Sequence, residues 1–257
     1  IVSCLETAEM IKLVDNTFRD VMFGYANEIA KACDAVGASI TEVILAGKLN
    51  YPRTNVPMPG LVGGPCLSKD AYILAESAEA LEMPIIRSAR KTNERMPGEI
   101  VLFLRNMATE MELPNNLKIA VLGLAFKGRP ETNDTRGSLA LHTARTLQGF
   151  FSQAQISAYD PLVLHDAIED YDLHMSATIE DVLTGARIIL ILTNHRAFIE
   201  SMPKLAERIQ KGSIVYDVWN LFDPELPAFE HVHYFGLGNH KKCLDLMKQK
   251  KCLAKNI

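Results

Sequence analysis

The sequence predicts an α/β protein in two parts, an all-helical region followed by a doubly wound parallel sheet. Up to residue 113, apolar residues recur at the three- and four-residue spacing of amphipathic helices. Beyond the break at 113–116, short β-branched runs that are apolar throughout alternate with helical segments, which is typical of parallel strands covered on both faces. We therefore expect a helical domain over 1–113 and a Rossmann-like domain over 114–257.

The helical part divides into helices around one long loop. The first predicted helix covers 7–36, because apolar residues from Met10 to Ile29 share one face and Gly37 follows as a C-cap. Further helices are predicted over 41–49, 68–80, 88–93 and 97–112. The last of them begins at Pro97, since proline is favoured in a first helical turn. A loop rich in proline and asparagine, 50–65, precedes the third helix.

The second part alternates strands with helices. Strands are predicted over 117–124, 155–159, 187–192 and 213–216, with a weaker edge strand over 232–235. Helices are predicted between them over 138–147, 179–183 and 198–209. Ligands of such sheets bind at the carboxyl ends of the strands. Polar residues follow these ends at 123–127, 159–161, 193–195 and 217–220.

Composition excludes several classes of function. With a formal net charge of -4, the chain has no basic footprint for nucleic acid, and the lysines of 248–251 predict only a solvated tail. The longest apolar runs, such as 188–192, are too short to cross a bilayer. Five scattered cysteines without metal-ligand spacing predict neither a disulfide framework nor a metal site. We expect a cytoplasmic protein with reduced thiols.

Cys66 is the first candidate for chemistry, because it lies on a glycine turn, Gly63-Gly64-Pro65, with Lys69 and Asp70 one helical turn further on. Glycines permit close substrate approach, and the start of a helix with nearby cations favours thiolate over thiol. The alternative is a buried structural cysteine.

Lys12 and Asn16 form a second candidate, since residues four apart share one face of a helix. A cation and an amide donor can together stabilise a developing oxyanion. The alternative is a solvated face of a surface helix.

The first strand of the sheet is followed by Gly123-Leu124-Ala125-Phe126-Lys127-Gly128, a degenerate relative of the dinucleotide fingerprint, with Asp160 after the second strand. The glycines are out of register, and a polar insertion, 129–136, precedes the next helix. A mononucleotide or phosphate held by Lys127 and backbone amides is the better physical interpretation. The alternative is a scaffold with an empty site and a surface lysine.

In chain order, these residues resemble the motifs of the nucleotide-sugar 6-dehydrogenases, which oxidise UDP-glucose, UDP-N-acetylhexosamines or GDP-mannose to uronic acids. The resemblance runs from about residue 7 to about residue 236. Its stretches are Ala8 to Lys12 with Asn16 and Asn27-Glu28, Tyr51-Pro52-Arg53, Pro59 to Cys66 with Lys69-Asp70, Ala89-Arg90 with Asn93, and Gly123 to Lys127 with Asn133 to Arg136 and Ser138.

The resemblance implies that an N-terminal Rossmann domain binds NAD and that this chain is the C-terminal two-thirds of such an enzyme. We expect the chain to bind a UDP-sugar through its second domain and to be inactive alone. Two alternatives stay open: a freestanding nucleotide-sugar-binding or dimerisation module without catalysis, and another oxidoreductase whose α/β domain itself holds NAD.

The resemblance also implies a mechanism, a four-electron oxidation of the sugar C6 alcohol. Cys66 would add to the intermediate aldehyde and then carry a thioester, Asp70 would activate or orient the hydrolytic water, and Lys12 and Asn16 would stabilise the oxyanions.

Further roles are implied by the same resemblance. Substrate binding falls to Arg53, Gly60, Gly63, Gly64, Lys127, Arg136 and Trp219, and cofactor binding to Lys69. Trp219 stands where the family often has an arginine, and it could stack on a base instead. The first helix, with apolar residues such as Met22, Phe23 and Tyr25 spread around it, has more apolar surface than one small domain would cover, so a homodimer through this helix is also predicted. Tyr51-Pro52-Arg53 leans towards an N-acetylhexosamine, with UDP-glucose as the alternative.

Overall fold

The computed structural model describes residues 1–77, 81–171 and 173–255. The helical part contains four helices, α1 (Leu5–Val36), α2 (Ile40–Lys48), α3 (Gly64–Ser77) and α4 (Pro84–Glu110). The predicted third helix therefore begins four residues early, inside the glycine turn, and its last three residues, 78–80, lie outside the described residues.

Helix α4 corrects the prediction of two separate helices over 88–93 and 97–112. It is continuous, with Pro97 in its interior. Proline removes one backbone hydrogen bond, but Met96, Pro97 and Ile100 are all buried, so packing against the rest of the protein holds the helix together across that position.

A close approach of two helices positions the first part of the site. A Cβ atom added at Gly24 of α1 would lie 2.8 Å from the Cβ of Ala89 in α4. Helix α1 ends as predicted at Gly37, whose φ of 80° allows its N–H to donate to the Cys33 carbonyl. The long predicted helix is thereby confirmed to within two residues of its start.

The second part is a six-stranded parallel sheet in the order β3-β2-β1-β4-β5-β6. Its strands are β1 (Lys118–Leu122), β2 (Gln155–Tyr159), β3 (His174–Met175), β4 (Ala186–Ile191), β5 (Ile214–Asp217) and β6 (His233–Gly236). The helices are α5 (Leu139–Phe150), α6 (Ile179–Leu183), α7 (Arg196–Leu205) and α8 (His240–Lys255). The doubly wound parallel sheet is confirmed.

Strand β3 and helix α8 were not predicted, nor were the 3₁₀ helices His165–Tyr171 and Pro227–Phe229, and the first strand and the helix over 198–209 were predicted too long. Strand β3 has two residues, too few for a periodic pattern, and α8 is rich in lysine, which predicted only a solvated tail. The predicted helix over 198–209 divides into α7 and a 3₁₀ turn, Ala206–Arg208. The predicted domain boundary falls in the turn between α4 and β1.

Side chains of alternate strand residues enter two cores. Ile119 and Val121 of β1 pack with α4 and α5 on one face, and Ala120 and Leu122 pack with α6 and α7 on the other. The first core continues into the helical part, so the two parts share apolar packing. Within the described ranges, each helix is too short or too polar to cross a membrane.

Candidate active site

A cavity of about 340 Å³ lies where the carboxyl ends of the strands face α1 and the glycine turn. The strand ends contribute the loop after β1, the residues after β4 and the residues after β5, as expected for a doubly wound sheet. The cavity is lined by Lys12, Asn16, Arg19, Phe23, Leu61 to Leu67, Phe126, Lys127, Arg129, Asn194 and Trp219.

Cys66 lies half-buried in the first turn of α3 and lines this cavity. Two glycines allow the turn before Cys66 to lie close to the loop that follows β1. A Cβ at Gly63 would collide with the Gly137 carbonyl oxygen. Gly64 has a φ of +95°, and a Cβ there would lie 2.5 Å from the Phe126 ring. The Gly64 N–H also donates to the Gly137 carbonyl at 2.8 Å. The turn that carries the thiol is therefore fixed to the loop that follows β1.

Asp70 organises the polar side of the site. Its buried carboxylate accepts from Asn16 Nδ2 and from Lys69 Nζ, each at 2.6 Å. Burial acts to raise the pKa of Asp70, but the hydrogen bonds from Lys69 and Asn16 and the charges of Lys69 and Lys12 outweigh it and lower the pKa overall. Asp70 is therefore a carboxylate at neutral pH.

Lys12 and Asn16 lie one turn apart on α1, and both line the cavity with Cys66. One amide hydrogen of Asn16 is donated to Asp70, which leaves the second available to another acceptor. The charges of Lys69 and Arg136 are close enough to Cys66 to interact with it.

Lys127 and Trp219 line the sheet side of the cavity. Lys127 Nζ lies 5.1 Å from the centroid of the Phe126 ring. Trp219 Nε1 donates to the Leu192 carbonyl at 2.9 Å, and the Trp219 ring lies 2.7 Å from the point where Gly60 would carry a Cβ. The indole is thus held between the helical part and the end of β4.

Asp160 does not have the role of the acidic residue in a dinucleotide fingerprint. Its carboxylate accepts four main-chain N–H groups, from Leu124, Ala125, Leu162 and Val163, at 2.7 to 3.2 Å. These bonds close the turn after β1 from within, so the carboxylate is not free to bind a ribose. The described residues of this turn therefore do not fit NAD.

Several predicted site residues lie outside the cavity lining. Arg53 is exposed on the loop before the turn, and Gly60 is held through both its main-chain groups by Asn27. Arg136 is paired with Asp134, and the pKa of Asp134 is lowered to about 2, chiefly by that hydrogen bond. The Lys69 side chain is 60% exposed beside Asp70.

The sequence analysis did not assign every lining residue to the site. Arg19 and Phe23 continue the face of Lys12 and Asn16 along α1 at spacings of three and four, so the same periodicity contained them. Arg129 lies beyond the carboxyl end of β1, in the polar insertion 129–136. Asn194 follows β4 and belongs to 193–195, one of the strand-end stretches at which the sequence predicts ligand binding.

Sequence comparisons identify both parts of the chain. Residues 6–95 match the UDP-glucose/GDP-mannose dehydrogenase family, central domain, and residues 120–224 match the UDP binding domain of the same family. A UDP-N-acetyl-D-mannosamine dehydrogenase from Pyrococcus horikoshii is 39% identical over 196 residues, 75% of this chain and 43% of that protein. One from Methanococcus maripaludis is 33% identical over 230 residues, 86% of this chain and 49% of that protein.

Solved structures of related dehydrogenases have the same fold as this chain. That of a UDP-D-ManNAc dehydrogenase from Pyrococcus horikoshii superposes with a TM-score of 0.78 at 34% identity, covering 91% of this chain and 52% of that one. That of a UDP-glucose dehydrogenase from Pyrobaculum islandicum, at 24% identity and a TM-score of 0.73, shares the fold. This chain spans about half the length of these relatives. Both of its parts match, and the chain belongs to the UDP-glucose/GDP-mannose dehydrogenase family.

Proposed function

We propose that this chain is the substrate- and nucleotide-binding portion of an NAD-dependent UDP-sugar 6-dehydrogenase that oxidises the C6 alcohol to a carboxylate. The observation that carries the proposal is a single cavity with Cys66, Lys12 and Asn16 on one side and Lys127 on the other. A sugar nucleotide has a reactive alcohol at one end and a diphosphate nearer the other, and the two sides of the cavity match those groups.

Cys66 is the proposed nucleophile. Once the alcohol is oxidised to an aldehyde, the Cys66 thiolate adds to the carbonyl carbon, and the resulting thiohemiacetal is oxidised to a thioester. Water then cleaves the thioester, releasing the carboxylate and the thiol. NAD, when bound, would supply the hydride acceptor for both oxidations. We propose that the portion of the relatives' length that this chain does not match holds NAD, with Lys69 as its contact in this chain.

Lys12 and Asn16 are the proposed oxyanion stabilisers. Each addition to the carbonyl places negative charge on the former aldehyde oxygen, and a cation with an amide hydrogen lowers the cost of that charge. The Asp70 carboxylate holds Asn16 in orientation through the 2.6 Å bond, and it is also the proposed group that orients the hydrolytic water.

The nucleotide is the proposed ligand of the sheet side. Lys127 would neutralise the diphosphate, and Trp219, with its ring already fixed by Leu192 and Gly60, would stack on the base. The main chain at Gly63 and Gly64 and the cation of Arg136 complete the proposed substrate contacts. An N-acetylated UDP-hexosamine is the substrate favoured by the Tyr51-Pro52-Arg53 stretch and by the names of the relatives.

Calorimetry on this chain tests the nucleotide site. We expect UDP and UDP-N-acetyl-D-mannosamine to bind and NAD not to bind. Lys127→Met should weaken UDP binding by about tenfold or more, since a phosphate contact with a cation is lost. Lys211→Met, an exposed lysine before β5 and away from the carboxyl ends, is the control and should bind UDP as the unmodified chain does. NAD binding without UDP binding would overturn the assignment.

We also propose a homodimer through α1. Its outer face presents large exposed apolar side chains, with Phe18 64% and Tyr25 53% exposed, and Ile11 and Val14 beside them. Tyr25 and the half-buried Met22, which follows Phe18 by one helical turn, lie on this face, whereas Phe23 of the three sequence-based candidates lines the cavity instead. Arg53, exposed and outside its own cavity, would then serve the partner's site. A monomeric sedimentation profile at micromolar concentration would contradict the dimer.

A freestanding sugar-nucleotide-binding module is the second candidate, favoured by the turn after β1 that does not fit NAD. The complete product of the gene decides between them. Reduction of NAD with a panel of sugar nucleotides supports the dehydrogenase and names its sugar, whereas tight binding of the nucleotide with no reduction supports the module.

A further inference from the structure

Four polar side chains of α1 and α4 lie buried against the main chain that carries Cys66. They are Asp20, Asn27, Arg90 and Asn93, none of them more than 1% exposed. Polar groups without hydrogen bonds are costly to bury, and a buried charge is more costly still. The hydrogen-bond partners of these four side chains therefore indicate which part of the structure they stabilise.

The guanidinium of Arg90 holds the main chain on both sides of Cys66. Nη2 donates to the Val62 carbonyl at 3.0 Å, and Nη1 donates to the Leu67 carbonyl at 3.1 Å. Val62 precedes Cys66 by four residues, and Leu67 follows it directly. Because the donors of a guanidinium have a fixed planar geometry, the two carbonyls are held at a set separation.

The other three side chains fix Arg90 in turn. Asp20 Oδ1 accepts from Arg90 Nη1 and from Asn93 Nδ2, each at 2.8 Å. Asn93 Oδ1 accepts from Asn27 Nδ2 at 2.9 Å, and Asn27 binds both main-chain groups of Gly60. The hydrogen bonds thus run without interruption from Gly60 to Leu67.

We propose that Arg90 is the positioning residue of Cys66, holding the 62–67 segment so that the sulfur faces the cavity. An ion pair between Arg90 and Asp20 would by itself be enough to join α1 to α4, so the two bonds to carbonyls around the cysteine serve a different purpose. The proposal rests on the nucleophilic role proposed for Cys66. A nucleophile must be placed to a fraction of an ångström for its geometry to contribute to rate.

Arg90→Lys is the sharpest test. It keeps a positive charge opposite Asp20, but a single ammonium group cannot reproduce the fork that reaches both carbonyls. Ile100→Ala is the control, since Ile100 is a buried residue of the same helix that makes no hydrogen bond to the 62–67 segment. Both variants weaken packing in α4, and only the first loosens the hold on the cysteine.

Amide hydrogen exchange on this chain gives the first readout. We expect Arg90→Lys to accelerate exchange of the 62–67 amides by about tenfold or more, while Ile100→Ala changes them only as far as its loss of global stability requires. Unchanged exchange in Arg90→Lys, or equal local acceleration in both variants, would overturn the proposal.

Steady-state kinetics on the complete gene product gives the second readout. We expect Arg90→Lys to lower kcat by about tenfold or more with the KM for the UDP-sugar changed by less than about threefold, because the side chains proposed to bind the nucleotide, Lys127 and Trp219, lie outside the loosened segment. Equal kcat in Arg90→Lys and the unmodified enzyme, or a rise in KM alone, overturns the proposal. Absence of activity in the unmodified enzyme counts instead against the proposed function, and hydrogen exchange still decides whether Arg90 holds the segment.

Discussion

At the scale of single residues, the Asp70 carboxylate sets how the polar side of the cavity is arranged. It is 2% exposed, yet it binds Asn16 from α1 and its own neighbour Lys69, and the charge of Lys12 also reaches it. Hydrogen bonds to a charged acceptor are stronger than neutral ones. The orientation of Asn16 therefore depends on Asp70 remaining ionised.

Asp70→Asn should destabilise the protein by about 1–3 kcal/mol at neutral pH, because Lys69 and Asn16 lose a charged acceptor. The folded state lowers the pKa of Asp70, so this stabilisation is fully present above the ordinary carboxyl pKa of about 4 and is lost as the pH falls through the folded-state value. Urea unfolding at pH 7 and at about pH 3 measures the difference. Asp15→Asn, an exposed carboxyl of α1, is the control. An equal difference at both pH values would contradict the assignment.

Cys66→Ser in the complete gene product should lower the overall oxidation to carboxylate by more than about 100-fold, because a hydroxyl is a weak nucleophile and an ester resists hydrolysis more than a thioester does. Mass spectrometry should find the sugar nucleotide attached to residue 66. Cys33→Ser, a buried cysteine of α1 outside the cavity, controls for loss of a thiol. Full oxidation by Cys66→Ser would remove the thioester from the mechanism.

Sequence spacing predicts several residues of the site but not the contacts between distant residues. Lys12 and Asn16 share a helix face by periodicity, and Cys66 and Lys127 each follow a recognisable glycine turn, so all four could be named. The Asn16–Asp70 bond joins residues 54 apart, and the Arg90–Asp20 pair joins residues 70 apart. Residue spacing does not determine which helices pack together. These contacts are therefore known only from the packing of α1 against α3 and α4 in the structure.

At the scale of elements, α1 serves two purposes with different faces. One face carries Lys12 to Phe23 into the cavity, and another packs small residues against α4. The Gly24–Ala89 approach brings Asp20 and Asn27 of α1 close enough to bond with Asn93 of α4. The spacing of the two helices is therefore a condition for the buried polar bonds beneath the thiol.

Gly24→Ala should destabilise the chain by about 1–2 kcal/mol, because the crowding of two helices outweighs the gain in helix propensity. Gly98→Ala, in α4 with nothing within 4 Å of the new methyl group, should instead stabilise it by up to about 1 kcal/mol. Urea unfolding measures both. Stabilisation by Gly24→Ala would show that α1 and α4 lie further apart than described.

Elements with a clear pattern were predicted well, from the long α1 to the five-residue β2 and α6, whereas β3 and α8 were missed and α4 was wrongly divided. Helix α1 has 32 residues, about nine turns, that follow one pattern, whereas β3 has two residues and no pattern. Pro97 predicted a helix start because its missing N–H is harmless there, and tertiary packing overrode that preference. Helix α8 is polar along the part that predicted a tail, and the contacts of His240 with Asp34 and Tyr216 supply its anchor.

At the scale of the whole molecule, the two parts are joined by one apolar core and by residues that touch both. Phe103 of α4 stacks on His240 at a centroid distance of 3.9 Å, and His240 contacts Asp34 of α1 and Tyr216 of β5. Trp219 likewise contacts Gly60 on one side and Leu192 on the other. Separate unfolding of the two parts would expose this shared core to water.

Trp219 is the single tryptophan, so its fluorescence reports on the junction. Because the core is shared, we expect the fluorescence transition and the far-UV circular dichroism transition to coincide in urea, as one cooperative unit. Fluorescence that changes at a lower urea concentration than the circular dichroism signal would mean that the junction opens first, and the two parts would then be separate folding units.

The main-chain bond between Gly64 and Gly137 has a mechanical consequence. The turn that carries Cys66 and the loop that follows β1 are hydrogen-bonded at a point where neither glycine has room for a side chain. A displacement of the loop should therefore move the turn as well. A diphosphate that binds Lys127 would then change the position of the Cys66 sulfur before the sugar reacts. Iodoacetamide should modify Cys66 more slowly in saturating UDP. An unaltered rate would mean that nucleotide binding does not affect the turn that carries Cys66.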